Sequence, residues 1–136
     1  AGGSRIPASI ESIKNREHFI KQDGKTVFKH AVKGMAEVSK KILIKNNLTG
    51  SDISLFIPHQ ANKRIIDAAA QKCGINEDKV LINIEKYGNT TAGTIPIAMN
   101  EAVNDNKINN GDYILLSSFG AGFTWGSMLI RWESKR

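Results

Sequence analysis

Cysteine is nearly absent from this chain of 136 residues: one, Cys73, excludes an internal disulfide, and three scattered histidines offer no metal-ligand cluster. Long apolar runs are missing as well. No stretch approaches the roughly 18 consecutive apolar residues that span a bilayer, and the first residues lack the charged-then-apolar pattern of a secretory signal. A cytoplasmic protein without membrane association is therefore expected. Acidic residues are the minority, 13 against 19 Lys and Arg, and the formal charge of +6 asks for an acidic partner. The lysines are spread along the chain, with no dense basic run and no aromatic-studded basic strand, so nucleic acid is not the expected partner.

At this length one domain with its own core and no linker is expected. The opening Ala-Gly-Gly-Ser-Arg-Ile-Pro reads as the middle of a loop and not as the start of a domain. Gly24 is expected to break the chain. From Thr26, the residues Val27, Phe28, Ala31, Val32, Met35, Val38, Ile42 and Leu43 recur at helical spacing up to Asn46 and Asn47, opposite a lysine-rich face. The short apolar run 53–57 reads as a strand buried on both faces, and 60–73 switches to helical spacing, ended by Gly74 as a C′ residue. Residues 80–84 read as a second strand, Tyr87-Gly88-Asn89-Thr90 as turn chemistry, and 91–103 as a helix with Pro96 in its first turn or kinking it. Two final strands, 113–119 and 124–132, are joined by Gly120-Ala121-Gly122. So short a joint makes them antiparallel neighbours, whereas the helix-linked strands should be parallel. The expected order is α-β-α-β-α-β-β, a layered α/β unit with a mixed, mostly parallel sheet.

In Phe56-Ile57-Pro58-His59-Gln60-Ala61-Asn62 a polar imidazole appears where a strand hands over to a helix, the place where open α/β sheets bind ligands. If the first two strands are parallel, Asn89 lies at the same carboxyl edge. A helix N-terminus beside His59 disfavours imidazolium, so a lowered pKa and a neutral ring are expected. A neutral imidazole and an amide can each donate a hydrogen bond to an oxygen that is gaining charge. Taken singly, His59 reads more readily as a helix-entry residue and Asn89 as a turn residue tolerant of left-handed geometry; together at matched strand ends the balance moves toward a site. The 120–122 loop suits close backbone approach to a ligand or a tight hairpin better than phosphate binding, because a strand follows it. Cys73, at the end of a helical pattern and without a nearby acid-base partner, reads as a packing residue.

Three segments carry a resemblance: Pro58-His59-Gln60-Ala61-Asn62-Lys63-Arg64-Ile65, Tyr87-Gly88-Asn89-Thr90-Thr91-Ala92, and Ser118-Phe119-Gly120-Ala121-Gly122-Phe123-Thr124-Trp125-Gly126. In this order and spacing the chain, from about Gly2 to Trp132, resembles the C-terminal half of the β-ketoacyl-acyl-carrier-protein synthase III family, thiolase-fold condensing enzymes of fatty-acid initiation. The resemblance implies a thiolase-like half-domain over 1–136. It further implies that His59 and Asn89 are two members of a Cys-His-Asn triad joining an acyl-CoA primer to malonyl carried on acyl carrier protein. It places a backbone oxyanion donor on Ala121, where glycine is frequent, and a pocket-wall phenylalanine on Phe119. Arg64 and Lys72 match carrier-protein docking positions, with Gln71 replacing a second lysine; Gly24, Phe28 and Asn62 match positions near the coenzyme A pantetheine. No cofactor is implied beyond the substrates, coenzyme A thioester and malonyl-acyl carrier protein, and the full-length family enzyme is expected to be a homodimer. The nucleophilic cysteine belongs to an N-terminal half that the chain lacks, so condensing activity is not expected of it alone. Relatives that build polyketides or quinolones, and a non-catalytic module that binds carrier protein or dimerises, are the alternatives.

Overall fold

The computed structural model describes residues 2–133. Helix α1 (Ile10–Lys14) is a single turn held by a reciprocal Ser9 and Ser12 capping box, a local device that the loop-like opening sequence conceals. Helix α2 (Gly24–Lys45) begins at Asp23, whose Oδ1 accepts the backbone N–H groups of Lys25 and Thr26. Gly24 is thus the first helical residue, and Asp23 makes the break expected of the glycine. Along α2, Ala31, Val32, Met35, Ala36 and Leu43 are buried, as the helical spacing requires.

Strand β1 (Leu55–Pro58) runs parallel to β2 (Tyr113–Gly120), with Leu55 opposite Ile114 and Pro58 opposite Ser117. β2 pairs antiparallel with β3 (Thr124–Arg131), giving a mixed sheet in the order β1-β2-β3. Alternation along the strands sends their side chains to two cores. Phe56 and Leu115 meet Ala36 and Leu43 of α2 and Ala70 and Cys73 of α3 (Lys63–Cys73). On the other face Leu55, Ile57 and Ile114 meet Ala98 and Ala102 of α5 (Thr94–Asn104). Cys73 is accordingly a packing residue: its thiol donates to Ala36 O at 3.8 Å, and burial raises its pKa. Gly74, in the left-handed region at φ 70°, ends α3 as expected.

The expected strand over 80–84 shrinks to a single parallel bridge between Val80 and Phe56, continued by the Leu81 N–H donating to Phe56 O at 2.9 Å. The reason is Gln60, 1% exposed, whose amide replaces the ladder. Its Nε2 donates to Leu81 O and Pro58 O at 3.1 and 2.9 Å, and its Oε1 accepts the Asn83 N–H at 3.0 Å. With those backbone groups satisfied by a side chain, the chain turns at Asn83 into the short helix α4 (Ile84–Tyr87). The α-β-α-β-α-β-β order is therefore corrected at its second strand and gains α1 and α4. A 3₁₀ turn, Thr91–Gly93, precedes α5, which starts three residues later than expected; Pro96 falls in its first turn, where no N–H is needed. Among the described residues no helix is long and apolar enough to cross a membrane.

Candidate active site

Because β1 and β2 are parallel, their carboxyl ends meet at one edge, and the loops leaving them enclose a cleft of about 770 Å³. His59 from the end of β1, Asn89 from the turn after α4, and Phe119 and Ala121 from the end of β2 all line it. Asn89 reaches this edge by way of α4, not from the end of a strand.

His59 continues the β1 ladder, its backbone N–H donating to Ser117 O at 2.8 Å. Its ring Nδ1 lies 2.6 Å from the hydroxyl Oγ1 of Thr94, the first residue of α5. The lowered pKa expected for His59 is present, but burial is its cause. Helix α3 starts only at Lys63, where Asn62 Oδ1 caps it by accepting the Arg64 N–H at 2.9 Å, so its N-terminus is not what keeps the ring neutral.

Asn89 is oriented by an Asx turn, its Oδ1 accepting the Thr91 N–H at 3.0 Å. With the oxygen engaged on the backbone, the amide NH₂ is left to donate elsewhere. Thr91 itself is held at φ 52°, a left-handed conformation that disfavours a β-branched residue, so the surrounding structure must over-determine it. In the hairpin loop the positive φ values fall on Gly122 (76°) and Phe123 (50°) and not on Ala121. Alanine at 121 therefore needs no glycine-like conformation. Phe119 is fixed between aromatic neighbours, its ring nearly parallel to Trp125 at 6.3 Å and tilted against Phe123 at 5.5 Å.

An adjoining recess of about 540 Å³ is lined by Gly24, Phe28, Asn62 and Arg64, and shares Ala61 and Asn89 with the cleft. The Arg64 guanidinium lies over the Phe28 ring, 5.5 Å from its centre, a cation–π arrangement at the rim. Lys72 lines neither space: it stands in the last turn of α3.

Three contributors escaped the sequence reading. Thr94 meets His59 across 35 positions of sequence, and no local pattern announces it. Gln60 is adjacent to His59 in the motif, yet its use as a buried clamp depends on the chain returning at 81–83. Glu101 on α5 accepts hydrogen bonds from Asn83 Nδ2 at 2.7 Å and Tyr87 OH at 2.6 Å and pairs with Lys86. Those contacts, the Asn83 hydrogen bond foremost, push the Glu101 carboxyl down to about 2, and the Glu101 partnership raises Lys86. Glu101 thereby ties α4, and with it the Asn89 turn, to α5.

Residues 43–132 match the family model described as 3-oxoacyl-[acyl-carrier-protein (ACP)] synthase III C terminal. The chain belongs to that family. A β-ketoacyl-[acyl-carrier-protein] synthase III of Koribacter versatilis (strain Ellin345) is 55% identical over 131 residues, 96% of this chain and 39% of the relative. One of Chlorobium chlorochromatii (strain CaD3) is 52% identical over 132 residues, 97% of this chain and 40% of the relative. Among solved structures, the 3-oxoacyl-[acyl-carrier-protein] synthase III of Aquifex aeolicus VF5 superposes with a TM-score of 0.81 at 47% identity, covering 84% of this chain and 37% of that one. The chain thus spans about two fifths of the length of these relatives. Its α/β fold is the one this synthase family shares; His59, Asn89, Phe119 and Ala121 of the cleft all fall in the family-matched segment, and residues 20–23 with Thr26 and Val27 of α2 complete its lining.

Proposed function

We propose that the chain is the C-terminal, thiolase-like part of a cytoplasmic ketoacyl synthase III that condenses an acyl-CoA primer with malonyl-acyl carrier protein. The observation that carries this reading is the convergence of two oriented hydrogen-bond donors, His59 and Asn89, in one cleft. When the malonyl carboxylate leaves as carbon dioxide, the electron pair of the broken C–C bond passes into the thioester as an enolate. His59 and the Asn89 NH₂ donate to the enolate oxygen. The enolate carbon then attacks the acyl carbonyl held on a cysteine, the Ala121 N–H donates to the resulting oxyanion, and the thiolate departs. Phe119 walls the pocket, and Gly24, Phe28 and Asn62 flank the pantetheine arm in the adjoining recess. Arg64 and Lys72 dock the acidic carrier protein, which gives the +6 charge a use. Dimerisation belongs to the whole enzyme.

The nucleophile must come from a second, N-terminal part, since Cys73 is buried under α2 with its thiol held protonated. This chain by itself should accept no acyl group from acetyl-CoA. Supplied with a family N-terminal part, it should decarboxylate a malonyl thioester, and His59→Ala and Asn89→Ala should each lower that rate by about 10²–10³-fold. Undiminished decarboxylation in both variants, or acyl transfer to the chain alone, would sink the proposal.

A further inference from the structure

A neutral imidazole has one proton to place, and its position decides whether His59 gives or takes a hydrogen bond in the cleft. Nδ1 faces the Thr94 hydroxyl at 2.6 Å. Among the described residues Nε2 makes no hydrogen bond, and the ring lines the cleft. Thr94 is 3% exposed, so its hydroxyl is cut off from bulk water and must settle its proton among protein acceptors. Two are in reach: His59 Nδ1 at 2.6 Å and Thr91 O at 3.1 Å. They are not equivalent. Thr91 O already accepts the backbone N–H of Thr94 in the 3₁₀ turn, whereas Nδ1 has the hydroxyl alone among the described residues.

We infer that Thr94 is a positioning residue: its hydroxyl donates to His59 Nδ1 and so keeps the ring proton on Nε2, which makes His59 a donor into the cleft. This deepens the proposed function and rests on it for the use of the donor, but the tautomer itself is a property of the protein without substrate. The opposite arrangement, with the hydroxyl turned to Thr91 O and the proton on Nδ1, would present a lone pair to the cleft and suit a base instead. The same turn holds the second donor, because the Thr91 N–H engages Asn89 Oδ1. One short segment, 91–94, therefore aligns both.

In the intact protein labelled with ¹⁵N at histidine, and with the His59 signals assigned by their loss in His59→Gln, Nε2 should carry the proton at neutral pH and Nδ1 should not. Thr94→Val keeps the side-chain shape and removes the hydroxyl; it should bring the two tautomers into exchange, and Thr94→Ser should restore the single one. With a family N-terminal part supplied, decarboxylation of a malonyl thioester should fall about tenfold in Thr94→Val and recover in Thr94→Ser. A proton on Nδ1 in the unchanged protein overturns the inference, as does a Thr94→Val spectrum identical to it. Should Thr94→Val not fold, the unchanged protein and Thr94→Ser decide the matter through the first criterion. Absence of decarboxylation in the unchanged chain supplied with a family N-terminal part counts against the proposed function instead and leaves the tautomer readout standing.

Discussion

His59 shows how a residue-level expectation can be right in direction and wrong in cause. A strand end, a histidine and a helix beyond it suggested a ring kept neutral by a dipole; the ring is kept neutral by its surroundings, three residues having intervened before α3 begins. Burial sets the folded-state pKa below the ordinary 6.5. The unfolded chain therefore takes up a proton below about 6.5 that the folded chain refuses, and linkage follows directly. The stability contributed by neutral His59 is complete above 6.5 and is lost as pH falls through the folded-state value. A titration of the His59 ring by NMR should give a midpoint below 6.5; a midpoint at or above it would contradict burial as the governing effect. His59 and Asn89 were readable because each stands in a local motif. Thr94 was not, since what matters is a hydroxyl arriving from another element, and hydroxyls at helix starts are common for reasons of capping alone.

Among the elements, the long ones were legible and the short ones were not. Helix α2 follows its 3.6-residue spacing to within two residues of the expected start, and the hairpin β2 and β3 follows from alternation and a three-residue joint. Val80-Leu81-Ile82 has the composition of a strand, but strand pairing needs free backbone partners, and Gln60 had already taken them. The chain is instead diverted into α4, whose four residues depend on Glu101 for anchorage. With Glu101 depressed to about 2 from an ordinary 4.5, the clamp is intact above about 4.5 and loosens as pH falls from there toward 2. Glu101→Ala should do the same at neutral pH. Hydrogen exchange should then quicken over 83–89 while α2 and α3 stay protected, and the decarboxylation rate should drop with the loosened Asn89. Unchanged exchange in that segment would show that α4 is held by something else.

For the whole molecule, the layered α/β arrangement was legible because its alternation of helical and strand periods is a tertiary statement written locally: a short parallel strand must be covered on both faces, and α2 with α3 and α5 do so. What joins those layers is less visible. Gly50, in the turn before β1, lies against the end of α3 so closely that a Cβ there would stand 2.2 Å from Cys73 O and 2.6 Å from Gly74 O. Both obstacles are backbone, so neither can rotate away. Gly50→Ala should lower the unfolding free energy by about 3 kcal/mol, measured by denaturant titration, whereas Gly24→Ala, which meets nothing within 4 Å, should be close to neutral. A neutral Gly50→Ala would mean that the turn and α3 can part without cost. The 91–94 turn has a last consequence, which concerns timing. Its Thr91 N–H and Thr94 hydroxyl hold Asn89 and His59 before any ligand is present, so the entropy of aligning two donors is lost once, when the chain folds, and not again with each molecule that enters.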